Sequence, residues 1–179
     1  MPLFRLLQLF WKDDPAGQPL LALLCASARD PLLRITAGPV LQARPGDIVA
    51  KKHFEEAVSH QARDRFTPST LQTLARNAAS SWTQSGHLSG RRVMQKSTPH
   101  VTAANTAYAL LLGFLCGARG SLLFHTFWTD LLEAPEHRLH EFARQASSWG
   151  WLTYRGVGNI VEIDFPCLLT PQEREALGE

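Results

Sequence analysis

The residues best suited to binding chemistry lie between Pro68 and Lys96. On a helix that begins at Pro68, short polar side chains recur along one face, and the longer Gln72 and Arg76 reach beyond them. Amide side chains pair with adenine, and guanidinium groups pair with guanine, in the DNA major groove. Backbone amides and hydroxyls at a helix start can also bind phosphate. The predicted DNA contacts on this helix are Ser69, Thr70, Gln72, Thr73, Arg76 and Asn77.

A basic hairpin or extended arm is predicted after this helix. It contains Arg91, Arg92 and Lys96, which we expect to neutralise phosphates or to enter a minor groove. Residues 61–100 carry six basic residues and one acidic residue, whereas residues 101–179 carry five basic and nine acidic residues. This asymmetry indicates a nucleic-acid surface in the middle of the chain. An ordinary solvated face or a protein interface also fits these residues, and that alternative stays open.

The first half of the chain shows the helical pattern that would position these side chains. Thr67 is the expected N-cap before Pro68, apolar residues then recur at steps of three and four up to Trp82, and Gly86 ends the helix. The upstream elements are predicted to be helices over Pro19–Ala28, Pro31–Gln42 (kinked or shortened by Gly38-Pro39) and Lys51–His60, with a short strand at Ile48–Val49.

The second half repeats this order with a clearer hairpin. We predict a nearly all-apolar core helix over Ala103–Cys116, a short helix over Leu122–Leu132, and a further helix from Pro135 to Trp149. Alternating residues then predict strands over Trp151–Arg155 and Ile160–Phe165, joined by a turn over residues 156–159, and a polar helix over Thr170–Glu179.

The predicted fold class is mainly α, with two winged helix-turn-helix-like units that carry short β-hairpin wings. The division is predicted as residues 1–98, a winged-helix-like DNA-binding unit, and residues 99–179, a helical unit that ends in a β-hairpin. The acidic second unit is expected to contact protein, either a second copy of the chain in a homo-oligomer or a larger component. A protein–protein adaptor or a transcriptional regulator built on the same modules is the alternative function.

Composition excludes several classes of protein. A hydrophobic fraction of 45% and a charged fraction of 19% argue against a disordered chain or a fibre, and the longest apolar run is about half of the roughly 20 residues that a membrane helix needs. We therefore expect a cytoplasmic protein with no membrane partner.

The three cysteines lie in apolar stretches and are expected to be buried free thiols. Trp82, Trp128 and Trp149 are expected in the core.

No catalytic motif accompanies the polar residues. The chain has no GxSxG, GxxxxGK[ST] or GxGxxG sequence, so the prediction is a non-enzymatic protein without a cofactor. His137 and His140 have a spacing that can bind metal, but they lack the HExxH order. An exposed polar helix face is the favoured interpretation of this pair, and a metal-dependent enzyme is a distant alternative.

The stretch from Leu20 to Leu88 resembles the central part of the BrxA family, which comprises accessory proteins of BREX bacteriophage-defence systems. The residues that carry the resemblance are LLALLCASARDPLLRITAGPVLQ, the helix KKHFEEAVSH, and TPSTLQTLARNAASSWTQSGHL. It implies a helical, non-enzymatic protein that binds double-stranded DNA and serves antiviral defence, with other proteins of the defence system as further partners.

Overall fold

The structure, a computed structural model, describes residues 3–62, 65–157, 160–175 and 177. It is mainly helical, with two small antiparallel β-hairpins. The chain divides into a terminal unit, Met1–Leu24 with Val101–Glu179, and a middle unit, Cys25–His100. The boundary between the middle unit and the C-terminal residues, after His100, lies two residues from the division predicted at residue 98. The N-terminal segment, however, belongs with the C-terminal residues rather than with the middle unit.

The helices and strands follow the sequence in a simple order. In the described residues, the α-helices are α1 Leu3–Asp13, α2 Gln18–Arg29, α3 Pro31–Ile35, α4 Ala37–Leu41, α5 Lys51–Ala62, α6 Pro68–Gln84, α7 Ala103–Leu115, α8 Phe127–Asp130, α9 Glu136–Ser148 and α10 Pro171–Glu175. The strands are β1 Leu88–Ser89, β2 Gln95–Lys96, β3 Thr153–Val157 and β4 Ile160–Asp164. None of these helices has the length and apolar character needed to cross a bilayer.

The middle unit begins with two short helices rather than one. Asp30 caps α3, since its carboxylate accepts hydrogen bonds from the backbone N–H groups of Leu32 and Leu33. The predicted helix over Pro31–Gln42 is interrupted at Thr36. Pro39 has no N–H to donate to the carbonyl of residue 35, which explains why the break comes one turn before the proline.

Helix α6 is held in the middle unit by its apolar face. Thr67 caps it as predicted, with Oγ1 accepting from the N–H of Thr70 at 3.3 Å. Ala75, Ala78, Ala79 and Trp82 are buried, and α6 packs along α5. The small alanines let the two helices approach closely, while the Trp82 indole fills the centre of the unit.

The hairpin of the middle unit forms a small sheet with the segment before α5. Strands β1 and β2 pair antiparallel, and Ile48 forms an antiparallel bridge with Gln95 on the other edge of β2. Exposure alternates along these segments. Ile48, Ser89, Val93 and Gln95 are exposed, whereas Val49, Leu88, Met94 and Lys96 are buried.

The terminal unit is built around α7, whose residues 103–114 are all buried. Asn105 links the cap of this helix to the N-terminal segment, since its amide donates to the carbonyl of Gly17 at 2.9 Å. Phe10 on α1 packs edge-on against Trp151 at 5.2 Å between ring centroids. These contacts explain why the first 24 residues belong to this unit.

Several predictions for the terminal unit differ from the structure. The helix predicted over Leu122–Leu132 is a 3-10 helix, Gly120–Phe124, followed by α8, because Thr126 caps a new helix. Trp149 is 53% exposed because it lies at the C-cap of α9, beyond the buried face of that helix. Cys116, at the C-cap of α7, and Cys167 are also exposed, and only Cys25 of the three cysteines is buried. Residues 158 and 159 of the predicted turn lie outside the described residues.

Candidate nucleic-acid interface

The outward face of α6 is polar and lacks carboxylates. The helix contains no Asp or Glu, and its one formally charged residue is Arg76. At 3.6 residues per turn, Ser69, Thr73, Arg76 and Ser80 fall within about 60° of its circumference, opposite the buried alanines and tryptophan. All of the predicted contacts on this helix are exposed: Ser69, Thr70, Gln72, Thr73, Arg76 and Asn77. The structure therefore places them on one continuous surface of α6.

The hydroxyl groups of this face have defined hydrogen bonds. Thr67 Oγ1 lies 3.1 Å from the hydroxyl of Ser69 and 2.9 Å from that of Thr70, so the cap orients both groups at the helix start. Thr73 Oγ1 donates to the carbonyl of Ser69 at 3.0 Å. Because its proton is engaged within the helix, Thr73 can offer a ligand only a lone pair and its methyl group.

The longer side chains differ in their surroundings. Gln72 and Arg76 project from the exposed face. Asn77 lies at the rim of a cleft between α6 and α3, together with Ser81 and Asp30. Asn77 therefore lies where the exposed face of α6 meets this cleft, which Gln72 and Arg76 do not line.

The arm after α6 presents two of its three predicted cations. Arg91 and Arg92 are exposed in the loop between β1 and β2. No carboxylate of the described residues forms an ion pair with Arg76, Arg91 or Arg92. Their charge is therefore not neutralised by the described part of the chain.

Lys96 does not share this surface, although it was predicted to contact DNA. Its side chain is only 4% exposed, and Nζ donates to the carbonyl of Ser97 at 2.9 Å. The alternation of β2 explains this, because Lys96 lies two residues after the buried Met94 and faces Leu88 across the hairpin.

Lys51 and Lys52 are two exposed cations of the middle unit that were not among the predicted contacts. They form the exposed start of α5, whose first turn contains no acidic residue. A helix N-terminus carries partial positive charge, so two lysines there are electrostatically unfavourable. Ile48 pairs antiparallel with Gln95. The chain that continues from Ile48 to α5 therefore runs toward the start of β2, the end that comes after Arg92 in the sequence. The unfavourable placement was the signal that could have identified them.

The two units differ in their balance of charged residues and in their ion pairs. The middle unit holds eleven basic and five acidic residues, and the terminal unit holds seven and eleven. In the terminal unit, Arg5, Arg138, Arg155 and Arg174 form ion pairs with Glu173, Glu141, Glu162 and Asp164. Lys51, Lys52, Arg76, Arg91 and Arg92 of the middle unit form no such pair with a described carboxylate.

One of the two histidines of α9, His140, belongs to a hydrogen-bonded cluster in the terminal unit. His140 Nδ1 lies 3.0 Å from the hydroxyl of Tyr154, and its Nε2 lies 3.4 Å from Glu136. His137 is exposed on the same helix. Within the described ranges, no group of three or more His, Cys, Asp or Glu side chains is arranged to hold a metal ion.

Comparison of the chain with protein-family models, with curated proteins and with solved structures finds no match.

Proposed function

We propose that this chain is a non-enzymatic protein that binds double-stranded DNA through its middle unit. The observation that carries the proposal is the exposed, carboxylate-free face of α6, together with Arg91 and Arg92 in the following hairpin, which form no ion pair with a described carboxylate. A slim polar helix face fits the major groove, and cations beside it fit the flanking phosphates.

The connectivity of the middle unit supports a winged helix-turn-helix interpretation. Its order is α3 and α4, the bridging residue Ile48, α5, α6 and the β1–β2 hairpin, and Ile48 pairs with the second strand of that hairpin. In this arrangement α6 is the recognition helix and the hairpin is the wing. The second half of the chain has a similar order, from α7 through α9 to β3 and β4.

Phosphate neutralisation would supply most of the affinity. Lys51, Lys52, Arg91 and Arg92 are the four cations proposed to contact phosphate or groove. Four such contacts predict that log K falls with log salt with a slope of about −3.6. Gln72 and Arg76 would add modest base readout, and Ser69 and Thr70 would position a phosphate at the start of α6.

The resemblance to the BrxA family adds a cellular setting to this proposal, namely accessory DNA binding in bacteriophage defence. The acidic terminal unit would then contact protein, either a second copy of the chain or a larger defence component. Genes for a methyltransferase and a large ATPase beside this one would support that setting. Neighbours unrelated to defence would favour a transcriptional regulator.

A titration of the full chain tests the proposal directly. A fluorescently labelled duplex is titrated at several salt concentrations, with anisotropy as the readout. We expect saturable binding whose affinity falls steeply with salt. Absence of duplex binding at low salt would overturn the proposal and favour a protein–protein adaptor. In that case the terminal unit would be the region expected to bind the partner protein.

A further inference from the structure

The loop at the end of the β1–β2 hairpin, Gly90–Val93, is a narrow cationic tip. Arg91, Arg92 and Val93 are all exposed. Gly90 has a φ of +96°, and a Cβ at this position would collide with the carbonyl oxygen of Val93. The chain therefore reverses direction over very few residues, which only glycine permits here. The result is a thin projection that carries two guanidinium groups.

Two apolar side chains in or beside this hairpin are also exposed. Val93 is 53% exposed and Ile48 is 60% exposed. Ile48 bridges Gln95 at one edge of the hairpin, and Val93 lies in the loop two residues before Gln95. Neutralisation of phosphates explains the arginines, but it leaves these two β-branched side chains without a partner.

The base of the tip is anchored on both edges. The N–H of Val49 donates to the carbonyl of Met94 at 3.0 Å, and the N–H of Lys96 donates to the carbonyl of Asp47 at 2.8 Å. On the other edge, the N–H of Ser97 donates to the carbonyl of His87 at 2.8 Å. The tip is therefore presented by a fixed strand, which lowers the entropy cost of placing it in a groove.

We infer that this tip enters the minor groove of the bound duplex and selects a narrow, A·T-rich groove; the inference rests on the proposed function, because it requires DNA on the middle unit. The minor groove is about 6 Å wide and admits a thin projection rather than a helix. A narrow A·T groove concentrates negative potential and attracts arginine, which is less strongly hydrated than lysine. Val93 and Ile48 would lie at this groove, where other minor-groove proteins insert apolar side chains between base steps.

Inosine-containing duplexes test this inference without knowledge of the target sequence. Three libraries of equal length are compared as competitors for the full chain, with A·T, G·C or inosine·cytosine pairs in otherwise identical tracts. An inosine·cytosine pair matches G·C in the major groove but lacks the amino group that G·C adds in the minor groove. We expect the inosine and A·T libraries to compete about tenfold better than the G·C library.

A charge-preserving variant assigns the preference to the tip. In the double variant Arg91→Lys, Arg92→Lys, we expect the preference over G·C to disappear while the salt dependence of binding stays unchanged. The matched control, Arg138→Lys with Arg155→Lys, changes two exposed arginines of the terminal unit and should keep the preference.

The outcomes separate the two proposals. Equal competition by all three libraries, or a preference that survives in the lysine variant, would overturn the minor-groove inference and leave duplex binding intact. Failure of the wild-type chain to bind any duplex would overturn both.

Discussion

The indole Nε1 of Trp82 donates a hydrogen bond to the hydroxyl of Thr36 at 2.8 Å, with both residues buried. Thr36 in turn donates to the carbonyl of Leu33 at 2.6 Å. This chain of bonds joins the proposed recognition helix α6 to the junction between α3 and α4. It fixes the rotation of α6, and hence which of its faces is exposed.

Loss of the Thr36 hydroxyl should destabilise the middle unit. In Thr36→Val, the indole N–H of Trp82 stays buried without its acceptor, which costs about 1–3 kcal/mol. Urea unfolding should show a lower midpoint with an unchanged slope. The control is Thr73→Val on the exposed face of α6, which should change stability by less than about 0.5 kcal/mol. Equal midpoints for the two variants would contradict the role assigned to this bond.

Removal of the lysines at the start of α5 should have opposite effects on binding and stability. In Lys51→Ala, Lys52→Ala, the salt slope of duplex binding should decrease by about 1.8, because two phosphate contacts are lost. The free energy of unfolding should rise by about 0.3–1 kcal/mol per lysine, because the charges no longer oppose the helix dipole. Anisotropy and urea unfolding measure the two effects. Unchanged affinity would remove these lysines from the interface.

Removal of the tip arginines should flatten the salt dependence. Arg91→Ala, Arg92→Ala is expected to weaken duplex binding and to lower the salt slope by about 1.8. Arg138→Ala, Arg155→Ala removes the same charge from residues that are paired with Glu141 and Glu162 in the terminal unit. If both double variants bind alike, net charge rather than the tip determines affinity.

The shape of the tip should depend on Gly90. Gly90→Ala combines an unfavourable positive φ with a collision at the Val93 carbonyl. Gly46→Ala is a matched control, since Gly46 has a φ of +91° but open space around its Cβ position. The control should cost about 1–2 kcal/mol from its backbone alone, and Gly90→Ala should cost more. Urea unfolding compares the two, and equal losses would show that the turn relaxes around the added methyl group.

Acid should weaken the contact between the two ends of the terminal unit. Burial raises the pKa of Glu173, but hydrogen bonds from Thr170 and Arg5 outweigh it and hold the pKa below the usual 4.5. Since the folded-state pKa is lowered, the carboxylate stabilises the fold above the unfolded pKa, and this contribution is lost as pH falls through the folded value.

Glu173→Gln should therefore lower stability at neutral pH and differ little from the wild type in acid below the folded pKa. Urea unfolding across this range measures the difference. A loss that persists unchanged in acid would show that the carboxylate charge is not responsible.

The sequence alone identified the structure that depends on near neighbours. Helix α6 is predicted correctly because Thr67, Pro68 and the apolar steps up to Trp82 act within a few residues of one another. The exposure of Gln72 and Arg76 follows from the same periodicity.

Tertiary structure decided what depends on distant partners. Lys96 is inward because β2 turns that face toward the core beside Leu88, and a two-residue strand carries too little pattern to reveal its orientation. Residues 1–24 join the terminal unit because Phe10 and Gly17 meet Trp151 and Asn105, far along the chain. Capping and periodicity are short-range effects, whereas burial depends on which remote segments cover a side chain, and only the folded chain brings those segments together.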